Sequence, residues 1–156
     1  TFCFGTRLSR VTAALKHRDG EEALARLASI VFDFDGGTQI GASLEAFLAT
    51  SRHAALVRGA VTLVFSDGLE RGDPARMAAA VERLARLSHR LVWVTPLAAD
   101  QRYRPATRGM AVILPFLDDI ESGAGLDALA LLPRRLAALE NLPRRQAARR
   151  YSRREP

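Results

Sequence analysis

The sequence predicts an α/β protein built on a doubly wound, mostly parallel sheet with helices on both faces. Two continuous apolar runs, Val61-Thr62-Leu63-Val64-Phe65 and Leu91-Val92-Trp93-Val94, read as strands buried on both faces. Amphipathic stretches with helical spacing flank them, and the chain alternates strand, helix, strand, helix, strand, helix.

Phe2-Cys3-Phe4 is a short apolar stretch that stops at Gly5 and reads as a strand end. Leu8 to Ala14 alternates weakly, as a second short strand or a turn. After the break at Asp19-Gly20, residues 21–31 place Ala23, Leu24, Leu27, Ala28 and Val31 at helical spacing, with Glu21 and Glu22 suited to the helix dipole. Asp33 to Thr38 is a loop by composition, and Ile40 to Ser51 a helix with Leu44, Phe47 and Leu48 on one face. The Val61–Phe65 run, bounded by Gly59 and Ser66-Asp67-Gly68, reads as a central strand. Asp73-Pro74 starts a helix to about Ser88, with Asp as cap and Pro in the first turn. Leu91 to Val94 is the next strand, ended by Pro96. Thr107 to Leu114 is a short helix, Phe116-Leu117 a short strand, and Leu126 to Leu139 a last amphipathic helix, with a bend expected at Pro133.

The chain has 156 residues, 48% of them apolar and 26% charged, which suits one domain with a real core. No apolar run reaches the roughly 18 residues of a membrane span. Cys3 is the only cysteine, so a disulfide framework within the chain is excluded and a reducing compartment is expected. No basic-then-apolar leader precedes the first strand, and the expected location is cytoplasmic. The net charge of +6 is concentrated beyond Pro143, where six Arg face a single acid, Glu155. Two parts are expected: a domain over 1–140 and an Arg-rich tail over 141–156, read as a solvated end. With one aromatic, Tyr151, and no base-reading fold, the tail does not predict specific nucleic-acid recognition.

Function in such sheets sits at the carboxyl ends of the strands. Two loops there stand out: Gly36-Gly37-Thr38-Gln39-Ile40-Gly41 and Ser66-Asp67-Gly68. A hydroxyl, Thr38, and a carboxylate, Asp67, are hard oxygen ligands suited to Mg²⁺, which takes few protein ligands and keeps several waters. Composition alone also fits a helix entry and a turn. His17, His53 and His89 share no ligand spacing and read as surface residues. Cys3 and Trp93 read as core, and Asp118-Asp119 as a solvated turn.

Spaced 29 residues apart, Thr38 and Asp67 resemble the second and third motifs of a von Willebrand factor A domain. More narrowly, the chain resembles the CoxE-like bacterial branch. The matching stretches include Phe4-Gly5-Thr6-Arg7-Leu8, the segment from Gly36 to Leu44, and Ser66-Asp67-Gly68-Leu69-Glu70-Arg71-Gly72-Asp73. They continue with Leu91 to Pro96, Tyr103-Arg104-Pro105-Ala106-Thr107-Arg108-Gly109-Met110-Ala111 and Leu114 to Asp119. The resemblance implies a metal-ion-dependent adhesion site to which Thr38 and Asp67 contribute, with Mg²⁺ or another divalent ion. The family's first motif, D-x-S-x-S, has no match here. It would fall before residue 1, on a central strand between those like Phe2–Phe4 and Val61–Phe65, so the chain reads as a C-terminal part with an incomplete site.

The resemblance further implies a non-enzymatic adaptor. CoxE-like proteins work with a MoxR-type AAA+ ATPase, and the target in the best-known setting is a carbon monoxide dehydrogenase undergoing maturation. An open position on the ion would accept an acidic side chain of the target. The chain lacks a G-x-x-x-x-G-K-[ST] loop, so the ATPase is another chain. A competing reading is enzymatic: Phe32-Asp33-Phe34-Asp35-Gly36 resembles the first motif of haloacid-dehalogenase-type, Mg-dependent phosphatases, with Asp33 as nucleophile and Asp35 as general acid. Against it stand the extra glycine before Thr38 and the position of the only lysine, Lys16, upstream of the motif.

Overall fold

The computed structural model describes residues 1–5, 7–31 and 39–152. The chain opens with an antiparallel hairpin of β1 (Phe2–Phe4) and β2 (Leu8–Arg10), followed by the one-turn helix α1 (Thr12–Leu15). Helix α2 (Gly20–Ile30) is capped by Asp19, whose side chain accepts the Glu22 N–H at 3.0 Å. Helices α3 (Ile40–Ala49) and α4 (Ser51–Val57) lead into β3 (Val61–Phe65). Then follow α5 (Pro74–Leu87), β4 (Arg90–Thr95), α6 (Arg108–Ile113), β5 (Asp119–Ser122), α7 (Gly125–Leu139) and α8 (Ala147–Ser152). Asp73 caps α5 and Pro74 occupies its first turn, the start signal read in the sequence.

Strands β3, β4 and β5 form a parallel sheet in that order, Val64 lying opposite Trp93 and Trp93 opposite Ile120. Successive strand residues face opposite sides, and the two cores follow that alternation. Val64, Leu91, Trp93 and Ile120 join the larger core with α3, α5 and α6. Leu63, Val92 and Val94 join a smaller one with Leu132, Leu136 and Leu139 of α7. Every residue of β4 is buried, as its continuous apolar sequence requires.

The Val61–Phe65 strand is not central. Val61 is 41% and Phe65 53% exposed, because β3 pairs with β4 alone among the described residues. The hairpin does not close the other side. Between β1 and β3 lies an apolar groove of about 520 Å³, walled by Phe2, Phe4 and Leu8 and by every residue of β3. Leu44, Phe47 and Leu84 of α3 and α5 also line it. Helix α2 keeps its predicted position, yet none of its residues is buried.

Three other expectations change. The fifth strand begins at Asp119, whereas Leu114–Phe116 is a turn of 3-10 helix started by Pro115. Asp118 and Asp119 are no solvated turn, being 0% and 6% exposed at the entrance to β5. The expected solvated tail is anchored at two points: Ala147 and Tyr151 of α8 are buried in the larger core, while most of its other residues stay exposed. Cys3 is half-buried. No described helix is long and apolar enough to cross a membrane.

Candidate functional site at the carboxyl edge of the sheet

The loop Ser66–Asp73 leaves the carboxyl end of β3. Its entry is fixed from the next strand, where the Trp93 indole N–H donates to the Ser66 carbonyl at 2.9 Å. Gly68 has φ +77°, a conformation that favours glycine, and a Cβ there would stand 2.3 Å from the Met110 sulfur. The Thr107 hydroxyl donates to the Gly68 carbonyl at 3.3 Å and accepts the Met110 N–H at 3.2 Å. The loop is thus pinned to the start of α6.

Asp67 stands exposed at the outer end of this turn. Its Oδ1 accepts the Leu69 N–H at 3.0 Å, and its other oxygen makes no hydrogen bond among the described residues. Glu70 then ties the loop to α3. One of its oxygens accepts the Gly41 N–H at 2.7 Å and the other the Gly72 N–H at 2.5 Å. Helix α3 begins two residues after Thr38, so Glu70 holds the Asp67 loop against the helix entry that follows Thr38. Sequence reasoning did not single out Glu70, although it lies within the matched stretch. An acid two residues before a glycine was its only local signal.

Thr38, Asp33, Asp35 and Thr6 lie outside the described residues. Among the described residues no group of three or more His, Cys, Asp or Glu is placed to hold a metal ion. Asp67 alone, with one oxygen engaged in its own turn, does not make a divalent-ion site. The three histidines do not converge: His53 stacks on Phe47 at 5.5 Å, His89 meets Glu140 at 3.0 Å and His17 meets Glu22 at 3.4 Å.

Beside the Asp67 loop sits Tyr103, assigned no role from sequence beyond membership of a matched stretch. Its hydroxyl is buried without a hydrogen-bond partner among the described residues. Burial, then the neighbouring Tyr151 and the negative field of Asp67, push its pKa up to about 12. Tyr103 also borders a polar pocket of about 400 Å³ at the ends of β4 and β5, together with Gln101, Ser122 and Arg150.

A parallel sheet with helices on both sides, carrying an exposed carboxylate on a held loop at its carboxyl edge, fits an α/β domain of the von Willebrand factor A type. The chain belongs to the family described as VWA domain containing CoxE-like protein, whose model matches residues 1–129. Domains of this family are generally non-catalytic. No curated protein matches the chain significantly, and no solved structure does.

Proposed function

We propose that this chain is a non-enzymatic adaptor domain that engages a target protein through the carboxyl edge of its sheet. A single observation supports the reading most: Asp67 is presented to solvent by a loop whose backbone is fixed at Trp93, Thr107 and Gly41. Such pre-organisation suits recognition, since little order remains to be gained on binding. Thr38 and Asp67 would contribute oxygen ligands to Mg²⁺ or another divalent ion, which bound would supply an electrophilic position for an acidic side chain of the target. The energy source would be a MoxR-type AAA+ ATPase, and the process the maturation of a complex such as carbon monoxide dehydrogenase, in the cytoplasm.

The test is co-purification of the chain with the dehydrogenase-type complex and, separately, with the MoxR-type ATPase of its own genome neighbourhood. Retention of the target complex with Mg²⁺, weakened at least tenfold in Asp67→Ala, is expected. Equal retention of the target by wild type and Asp67→Ala would overturn the assignment of this face. No retention of the ATPase by either would overturn the ATPase as partner.

A further inference from the structure

The buried acids around β5 are matched one by one by arginines. Asp118, 0% exposed, accepts the Leu91 N–H at 2.8 Å and lies 3.5 Å from Arg90 and 3.7 Å from Arg144. Asp119 pairs with Arg150 at 2.5 Å, and Glu121 with Arg135 at 2.5 Å. Of the four guanidinium groups, Arg144 and Arg150 come from the chain beyond α7.

That same segment closes the backbone. Arg145 N–H donates to Asp118 at 2.7 Å, and Ala147 N–H donates to the Leu117 carbonyl at 3.3 Å. The carbonyls of Glu140 and Leu142 accept from the buried Arg90 at 3.4 and 2.8 Å. Arg144 also donates to the Ala85 and Ser88 carbonyls, both at 3.0 Å, at the carboxyl end of α5 where a cation is favoured. Arg145 takes φ 54°, uncommon for a residue with a side chain, and its bond to Asp118 holds that turn. Tyr151 then packs edge-on against Tyr103 at 6.2 Å.

We infer that residues 141–152 are an intramolecular strap that closes the entrance to β5 by neutralising its two buried aspartates. The edge strand is entered through Asp118 and Asp119, and a carboxylate buried without its counter-charge is strongly unfavourable. The strap bonds to Leu117 and Asp118 through its backbone and reaches Asp119 through Arg150, so the contacts that hold it also compensate the charge. Arg144 and Arg150 stay partly exposed but bond to the α5 carbonyls and to Asp119, whereas the exposed Arg149 has no such contact among the described residues. Its far end, through Arg150 and Tyr151, walls the polar pocket beside Tyr103.

The experiment is hydrogen exchange read by mass spectrometry on the full chain, comparing Arg150→Gln with Arg149→Gln and with Arg150→Gln combined with Asp119→Asn. Arg150→Gln is expected to speed exchange in 118–122 and 147–152 about tenfold, leaving 61–65 unchanged. Adding Asp119→Asn removes the stranded charge and should bring exchange back to within about threefold of wild type. If Arg150→Gln exchanges like Arg149→Gln, the strap is not a charge-compensating seal. If Arg150→Gln unfolds the whole chain, recovery of the fold in the double variant supports the inference, and failure to recover overturns it.

Discussion

The Glu70 carboxylate accepts the Gly41 backbone N–H at 2.7 Å, across 29 residues of sequence. This bond joins the loop after β3 to the first turn of α3, where an unpaired helix N–H would otherwise need a partner. The two loops singled out in the sequence are therefore coupled through an acid that belongs to one and an amide that follows the other.

Glu70→Ala should destabilise the domain by about 1–2 kcal/mol, because two amides lose a charged acceptor, that of Gly41 in a half-buried setting and that of Gly72 at the surface. Exchange should rise at 41–43 and 68–73, with little change at 91–95. Urea denaturation with exchange mapping checks both. A loss spread evenly over the chain would mean that Glu70 acts on general stability rather than on this loop.

Gly41→Ala should cost more, about 2–3 kcal/mol. A Cβ at this position would sit 2.7 Å from the Met77 backbone nitrogen, where α3 and α5 pack against each other. Backbone cannot yield as a flexible side chain can. Thermal unfolding of Gly41→Ala beside Gly20→Ala, where a Cβ meets nothing within 4 Å, is the direct comparison.

These positions mark what the sequence could and could not disclose. Two of the three parallel strands, β3 and β4, were legible because continuous apolar runs have few other homes, and α5 because Asp73-Pro74 is a chemical start signal. The exposed edge of β3 was legible only through the resemblance, which places the unmatched D-x-S-x-S strand beside it, and not from the run itself. An apolar run states that its side chains want burial, not which neighbour is at hand to pair with its backbone. Asp118 and Asp119 read as a solvated turn because local sequence favours exposure of two acids. The arginines and amides that compensate them lie up to 31 residues away. The packing of the basic tail was hidden for the same reason. On the candidate site, the motif loops were legible as chemistry, whereas Glu70 and Tyr103 act through distant backbone and burial, which no spacing reveals.

The open edge of β3 should govern how the chain behaves in solution. Its backbone, unpaired on that side among the described residues, borders an apolar groove, a combination that favours strand addition. Concentration-dependent association by analytical ultracentrifugation is expected. A chain extended upstream to include a strand carrying D-x-S-x-S should be monomeric and melt at higher temperature. A chain of residues 1–156 that stays monomeric and highly stable at high concentration would count against the open edge.

Tyr103 should titrate late. With its pKa at about 12, the phenol stays protonated through pH 10, where an ordinary tyrosine is half ionised. The folded state then holds a proton that the unfolded state releases. The stabilisation is present in full below pH 10 and is lost as pH rises from 10 towards 12. Ultraviolet absorbance titration of wild type against Tyr103→Phe should assign the late transition. Because Asp67 contributes to the shift, Asp67→Asn should move that transition to lower pH, although burial remains the larger cause. No movement would place Asp67 outside the electrostatic reach of Tyr103.

The chain alone should bind Mg²⁺ weakly, and a chain extended upstream should bind it better. The argument is ligand count. Asp67 offers one carboxylate with one oxygen engaged by Leu69, and a threonine such as Thr38 offers a neutral hydroxyl. Most of the coordination shell would remain water, which Mg²⁺ releases reluctantly, so little free energy favours protein over solvent. A D-x-S-x-S strand would add a carboxylate and two hydroxyls on a rigid strand end. Calorimetric titration of both chains, with Thr38→Ala and Asp67→Ala in the longer one, separates the contributions. Losing the anionic ligand should weaken binding at least tenfold and losing the hydroxyl less, since charge dominates the attraction of a hard cation. Equal affinity of the two chains would show that the upstream strand is not a ligand source. Unchanged affinity in both variants would remove Thr38 and Asp67 from the ion's coordination, leaving Asp67 as a direct polar contact for the partner.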